Sequence, residues 1–261
     1  MAPIIVICSG GWPLASFFTP LVGAFQGRQY VAVCKPPEDY ASIPSDSNLN
    51  PDVSYLRDQV LSPLLEQGHD IAIFMHSYGG VYGPEAVEGL SKKERSAQGL
   101  QGGVVALIFN AAFVAPRGVS AIDAMGMDPN DLPEYLDHDR STGLVAFKKD
   151  YAKAMLFHDL PDEEADRLAE SLPKQPFACF ITPVSWDPYG DPNFKGLMAY
   201  IHTGADRIVP LELQKKFVKT AGINLLYMME NSSHSPHHEQ PEVLAGVVID
   251  LLNQIIAGTE G

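Results

Sequence analysis

The stretch Ile71-Ala72-Ile73-Phe74-Met75-His76-Ser77-Tyr78-Gly79-Gly80 constrains this chain more than any other. Five apolar residues, two of them β-branched, run towards a serine, and two glycines and a potentially helical run follow it. A strand that passes straight into a helix through one serine has the layout of a nucleophile elbow. The turn is so tight that small residues are wanted two places before and two places after the serine. Gly79 meets the second demand, whereas Met75 departs from the first. An ordinary strand-to-helix turn that happens to hold a serine would read the same over these ten residues alone.

The rest of the chain repeats the rhythm of that stretch. Pro3–Cys8, Tyr30–Cys34, Val104–Phe109, Leu197–His202 and Ile223–Met229 are apolar runs of strand length. With the elbow strand they make six, and unbroken apolar runs suit strands buried on both faces. Helices are expected over Ala15–Ala24, Pro51–Gln67, Gly79–Leu90, Leu211–Ala221 and Val243–Ile256. Val53, Leu56, Val60, Leu61, Leu64 and Leu65 give Pro51–Gln67 its helical spacing, with Asn50 as the expected cap. Lys35–Asn50 reads as a loop and Ser91–Gly103 as a surface connection. Strands alternating with helices imply a parallel sheet with right-handed crossovers, here a single α/β domain over residues 1–261. From about Ala115 to Asp191 the rhythm breaks. Aromatics, Met, prolines and carboxylates crowd there without a clear strand, and Asp123–Glu170 holds 13 acidic against 5 basic residues. This region reads as an insertion of short helices.

Charge and cysteine content narrow the partners. A net charge of −14 repels phosphate backbones and anionic lipid, so neither nucleic acid nor a membrane is an expected partner. Cys8, Cys34 and Cys179 give no disulfide framework or C-x-x-C pattern, and Ile4–Ile7 is too short for a signal or membrane segment. A soluble, cytoplasmic protein is the expectation, with the oligomeric state unfixed and a homodimer left open. The Ser9-Gly10-Gly11-Trp12 turn lacks the G-x-G-x-x-G of a dinucleotide loop, so its glycines are read as allowing close backbone approach.

Two further stretches follow strand ends: His202-Thr203-Gly204-Ala205-Asp206 and Asn231-Ser232-Ser233-His234-Ser235. In such a sheet the carboxyl ends of the strands share one rim. A serine hydroxyl needs a base within hydrogen-bond reach, neutral imidazole can be that base, and a carboxylate fixes the imidazole's tautomer. Ser77, His234 and Asp206 are the catalytic candidates. A tetrahedral oxyanion needs two aimed donors, and the N–H groups of Tyr78 and Gly11 are the candidates. Blander readings stand beside these. Asp206 sits in good turn chemistry, and His234 has neighbours His237, His238 and Glu239 that could suggest metal ligands. With no matching cluster elsewhere, no metal and no cofactor is expected. Trp12, Phe113 and Trp186 are either plain core or the wall of an apolar substrate pocket.

With these residues in order, the sequence resembles the α/β-hydrolase fold over nearly its whole length, the order Ser, Asp, His included. It is similar to compact plant methyl-ester esterases and hydroxynitrile lyases, and to a largely uncharacterised fungal set. Met75-His76-Ser77-Tyr78-Gly79-Gly80 and Gly102-Gly103-Val104-Val105 look most like that fungal set, in which the first elbow slot is often not glycine. The resemblance implies Ser77 as nucleophile, Asp206 as acid, His234 as base, and a helical lid over about 115–191. Related lyases carry a lysine directly after the catalytic histidine, where this chain has Ser235, so the esterase branch fits better. The expected reaction is hydrolysis of a small apolar ester or lactone through an acyl-enzyme. The alternatives are lyase, cyclase or isomerase chemistry in natural-product (polyketide-type) metabolism, and a ligand receptor built on the same fold.

Overall fold

A computed structural model describes residues 2–12, 15–36 and 49–259. Its strands in chain order are β1 (Ile4–Cys8), β2 (Ala32–Val33), β3 (Asp70–His76), β4 (Gly103–Asn110), β5 (Leu136–Asp139), β6 (Leu144–Phe147), β7 (Gln175–Pro176), β8 (Met198–Thr203) and β9 (Leu225–Met229). Six form one parallel sheet in the order β2-β1-β3-β4-β8-β9. The apolar runs become interior strands because both faces are covered: every residue of β1, and Ile71–His76 of β3, is buried. The strand order reverses direction between β1 and β3. In an open α/β sheet that reversal leaves a crevice at the carboxyl ends, and here Ser9–Trp12 and Ser77 flank it.

The helices in chain order are α1 (Thr19–Gly27), α2 (Asn50–Tyr55), α3 (Ser62–Glu66), α4 (Gly79–Ala86), α5 (Lys92–Ala97), α6 (Ala121–Met125), α7 (Lys149–Leu156), α8 (Asp162–Ser171), α9 (Ala178–Ile181), α10 (Leu211–Ala221), α11 (Pro236–Glu239) and α12 (Pro241–Thr259). A π-helical stretch, Leu56–Leu61, joins α2 to α3. The expected cap is corrected here: Leu49 holds the cap position and Asn50 already belongs to the helix. Most of the Lys35–Asn50 loop lies outside the described residues. The surface connection Ser91–Gly103 contains α5, started by a capping box in which Ser91 and Glu94 satisfy each other's backbone N–H groups. Of the described helices only α12 is long and apolar enough to span a membrane, and its Leu244, Ala245, Val248, Leu251 and Leu252 are buried in the core.

The insertion departs most from expectation. It was expected to be short helices alone, yet β5, β6 and β7 form an antiparallel three-stranded sheet within it. The β5–β6 turn is built by Asp139, whose carboxylate accepts the Ser141 N–H at 2.9 Å and whose carbonyl accepts the Gly143 N–H at 2.8 Å. Gly143, at φ +68°, supplies the left-handed residue that turn requires.

Candidate active site

Ser77 follows β3 directly and has φ +53°, a conformation uncommon for residues with a side chain. The two glycines after it let the new helix start against the sheet. A Cβ on Gly79 would lie 2.4 Å from the Cys8 carbonyl oxygen, and one on Gly80 would lie 2.2 Å from that of Phe113. Met75 is accommodated from the other side. A Cβ on Gly83, one turn into α4, would meet the Met75 Cγ at 2.9 Å and its sulfur at 3.0 Å. The small residue this elbow needs therefore stands in the helix, at Gly83, and a long thioether fills the first slot.

Asp206 and His234 come from the loops after β8 and β9. His234 Nδ1 lies 2.8 Å from Asp206 Oδ2, with both side chains buried. The carboxylate can only accept, so Nδ1 carries a proton, and the neutral form of the ring has its lone pair on Nε2. Asp206 Oδ1 also accepts the N–H groups of Ile208 and Val209 at 2.8 and 2.9 Å, and Oδ2 accepts the Thr203 hydroxyl at 3.0 Å. Burial alone would push this carboxyl up, but His234 and the Val209 and Ile208 N–H groups outweigh it and hold it below its ordinary range. Gln214, fully buried on α10, fastens the loop by bonding the Thr203 N–H, the Thr203 carbonyl and the Val209 carbonyl.

The rival residues have other partners. The His237 ring stacks on Phe18 at 4.3 Å, His238 stands edge-on to Phe17 at 6.0 Å, and Glu239 accepts from Ser232 and Ser233. His76 donates its Nε2 proton to the His234 carbonyl at 2.7 Å, supporting the loop that carries the candidate base. Burial, then His234, push the His76 imidazole down to about 3, so it stays neutral. Burial pushes the thiols up, Cys34 and Cys179 to about 12, so they stay protonated near neutral pH. Among the described residues no hydrogen bond joins the Ser77 hydroxyl to His234, although both line one cavity. Such bonds are often long without substrate and tighten when it binds.

That cavity encloses about 950 Å³ of space between atoms, its open mouth included. The rim contributes Gly10, Gly11, His76, Ser77, Tyr78 and His234. The insertion contributes an apolar wall that includes Met125, Tyr135, Phe147, Leu156, Phe177 and Phe180. Among the described residues, no Asp, Glu, Lys or Arg lines the cavity. Trp12 and Phe113 line the cavity. Trp186 is not among the residues that line this cavity; its ring stands against Phe194 at 5.7 Å. Nothing local in the sequence marks two polar contacts under the turn. The Tyr78 hydroxyl donates to Asp52 at 2.8 Å, and Gln175 accepts the Trp12 N–H at 2.8 Å.

The model of the alpha/beta hydrolase family matches residues 5–247. The chain is similar to the alpha/beta hydrolase nvfD of Aspergillus novofumigatus (strain IBT 16806), at 24% identity over 98% of this chain and 99% of that protein. Among solved structures, polyneuridine aldehyde esterase superposes with a TM-score of 0.75 at 15% identity, over 96% of this chain and 99% of that one. Tomato methylketone synthase I, complexed with 2-tridecanone, gives 0.75 at 14% identity, over 98% and 99%. At these identities the structural likeness speaks to the fold.

Proposed function

This chain belongs to the alpha/beta hydrolase family, and from that premise we propose that it is a serine hydrolase cleaving a neutral, apolar ester or lactone. The observation that carries the reading is the His234–Asp206 pair at 2.8 Å, buried on the cavity that the positive-φ Ser77 also lines. In the proposed reaction the Ser77 oxygen attacks the carbonyl carbon while His234 Nε2 takes its proton. Asp206 offsets the imidazolium charge, and the N–H groups of Gly11 and Tyr78 receive the oxyanion. Collapse expels the alkoxide, which takes the proton back from His234. Water then repeats the sequence on the acyl-enzyme, and in a lactone the alcohol stays tethered to the released acid. Among the described residues the wall has no ionised side chain, which supports a neutral substrate, since an unpaired charge placed against it would lose its hydration without compensation.

The test is a fluorophosphonate probe together with a panel of apolar esters and lactones. The wild-type protein should take the label on Ser77, and Ser77→Ala should abolish labelling and lower turnover on the order of 10⁴-fold or more. A variant that keeps full turnover would sink the reading.

A second reading has its own observation. The Ser77 hydroxyl is not hydrogen-bonded to His234, while three imidazoles, His76, His234 and His237, border the cavity. This suits a base acting directly on an enolisable substrate, as a lyase, cyclase or isomerase in natural-product (polyketide-type) metabolism would require. That chemistry predicts turnover which survives Ser77→Ala and is lost in His234→Ala.

A further inference from the structure

The turn that carries Gly11 is held by the insertion rather than by the sheet. Trp12 has φ +52°, which a residue with a large side chain keeps only when its surroundings enforce it. Four contacts do so. Its N–H donates to Gln175 Oε1 at 2.8 Å, and its indole N–H donates to the Val145 carbonyl at 3.1 Å. Its ring stacks on Phe180 at 5.4 Å and meets Phe147 edge-on at 5.2 Å. All four partners belong to the stretch 115–191, and Gln175 is fully buried.

One residue back, the Gly11 N–H meets no acceptor among the described residues. A Cβ on Gly11 would lie 3.3 Å from the Phe180 ring and 3.6 Å from Gln175 Oε1, so the insertion closes on the backbone itself. A Cβ on Gly10 would lie 3.0 Å from Ser77 Cβ, which sets this turn directly against the candidate nucleophile. If the Trp12 N–H lost its acceptor, Trp12 would relax towards negative φ. The two glycines before it offer little resistance to peptide rotation, and the Gly11 N–H would swing away from Ser77.

We propose that Gln175 is a positioning residue for the reaction: by accepting the Trp12 N–H it holds the Gly10–Gly11–Trp12 turn in the one conformation that presents the Gly11 N–H to an oxyanion. The oxyanion hole is then complete only while the insertion is docked. This rests on the serine-hydrolase reading.

The experiment compares three variants of the full chain. Gln175→Met keeps the side chain's length and removes the acceptor. It should lower kcat by about 10²-fold, the order lost with one oxyanion donor, with KM changed less than about threefold. It should also slow fluorophosphonate labelling of Ser77 and speed hydrogen exchange at the Trp12 amide. Gln175→Glu keeps an oxygen acceptor and should recover at least tenfold of that loss. Leu168→Ala, on a buried position of α8 away from Trp12 and from the cavity wall, should lower the melting temperature and leave kcat unchanged. If Gln175→Met does not fold, Gln175→Asn, which draws the acceptor back by one methylene, carries the same comparison. The proposal is overturned if the acceptor-free variant keeps wild-type kcat, or if Leu168→Ala loses kcat equally. A wild-type protein that takes no label at Ser77 removes the serine-hydrolase reading itself, and this proposal with it. A labelled wild type with an unaffected Gln175 variant removes the proposal alone.

Discussion

The sheet rim and the insertion face each other across one cavity and are built on opposite principles. The rim carries Ser77, Asp206 and His234 on loops locked by backbone contact: glycines with no room for a Cβ, and an Asp206 carboxylate with both oxygens bonded. The insertion carries no candidate catalytic side chain. It supplies an aromatic and aliphatic wall, a short antiparallel sheet, and exposed ion pairs such as Lys153 with Asp162 and Asp166. On the proposed reading, chemistry and selectivity are thereby separated. Changes at the rim should alter the rate of bond breaking, changes in the wall should alter which substrates bind, and Gln175 with Trp12 is where the two meet.

Asp206→Asn tests that separation most severely. The amide keeps the shape but offers His234 Nδ1 the wrong hydrogen-bonding partner, so turnover should fall on the order of 10⁴-fold, about 5 kcal/mol of barrier. The wall is untouched, so binding of a non-hydrolysable apolar ligand, read by calorimetry, should stay within about threefold. Loss of binding together with rate would show that rim and wall are not separable. Met75→Gly probes the frame of the rim. It restores G-x-S-x-G on paper, yet it empties a fully buried volume packed against Gly83. We expect a loss of about 3–5 kcal/mol in urea unfolding. Equal or greater stability would mean that the elbow never depended on the thioether.

How legible each region is in the sequence follows from the range of its interactions. The rim announces itself locally: apolar runs that stop at Ser9, Ser77 and Asp206, with glycines placed where the backbone must pass closely. The insertion does not. β5 reads Leu136-Asp137-His138-Asp139, with three polar residues in four, and β7 is two residues ending in Pro176, so no period-two pattern reaches a readable length. Asp52 with Tyr78 and Gln175 with Trp12 are pairs 26 and 163 residues apart, with no local signature at either end. Trp186 shows the converse: its residue type suits a pocket wall, but only the path of the chain decides which surface it meets.

A smaller effect comes from pH and falls at the boundary of the two regions. His76 touches the rim, His237 stacks on Phe18, and His238 reaches within 4.0 Å of Glu164 on α8. Burial lowers all three imidazoles, His76 to about 3. Unfolding releases them to an ordinary value of about 6.5. The unfolded chain then binds more protons, so stability is complete above pH 6.5 and declines as pH falls towards the folded value. For His76 alone the loss between pH 7 and 5 is about 2 kcal/mol. Urea unfolding at pH 7, 6 and 5 should show this slope, and His76→Phe should flatten it by that share. A protein equally stable at pH 5 and 7 would refute the buried neutral array.

The smallest effect is expected where the insertion looks best fastened. Lys149 on α7 pairs with Glu170 on α8, but both side chains are more than half exposed. Water and salt screen such a pair, and ordering two long side chains offsets most of what remains. Lys149→Ala should therefore change unfolding free energy by less than about 0.5 kcal/mol, with kcat, KM and the labelling rate of Ser77 unchanged. The contrast with Gln175→Met is the point of the measurement, because one variant removes a visible surface bridge and the other a single buried acceptor. If the surface variant slows turnover as the buried one should, docking of the insertion depends on its outer charges, and the clamp on Trp12 is a consequence of that docking rather than its cause.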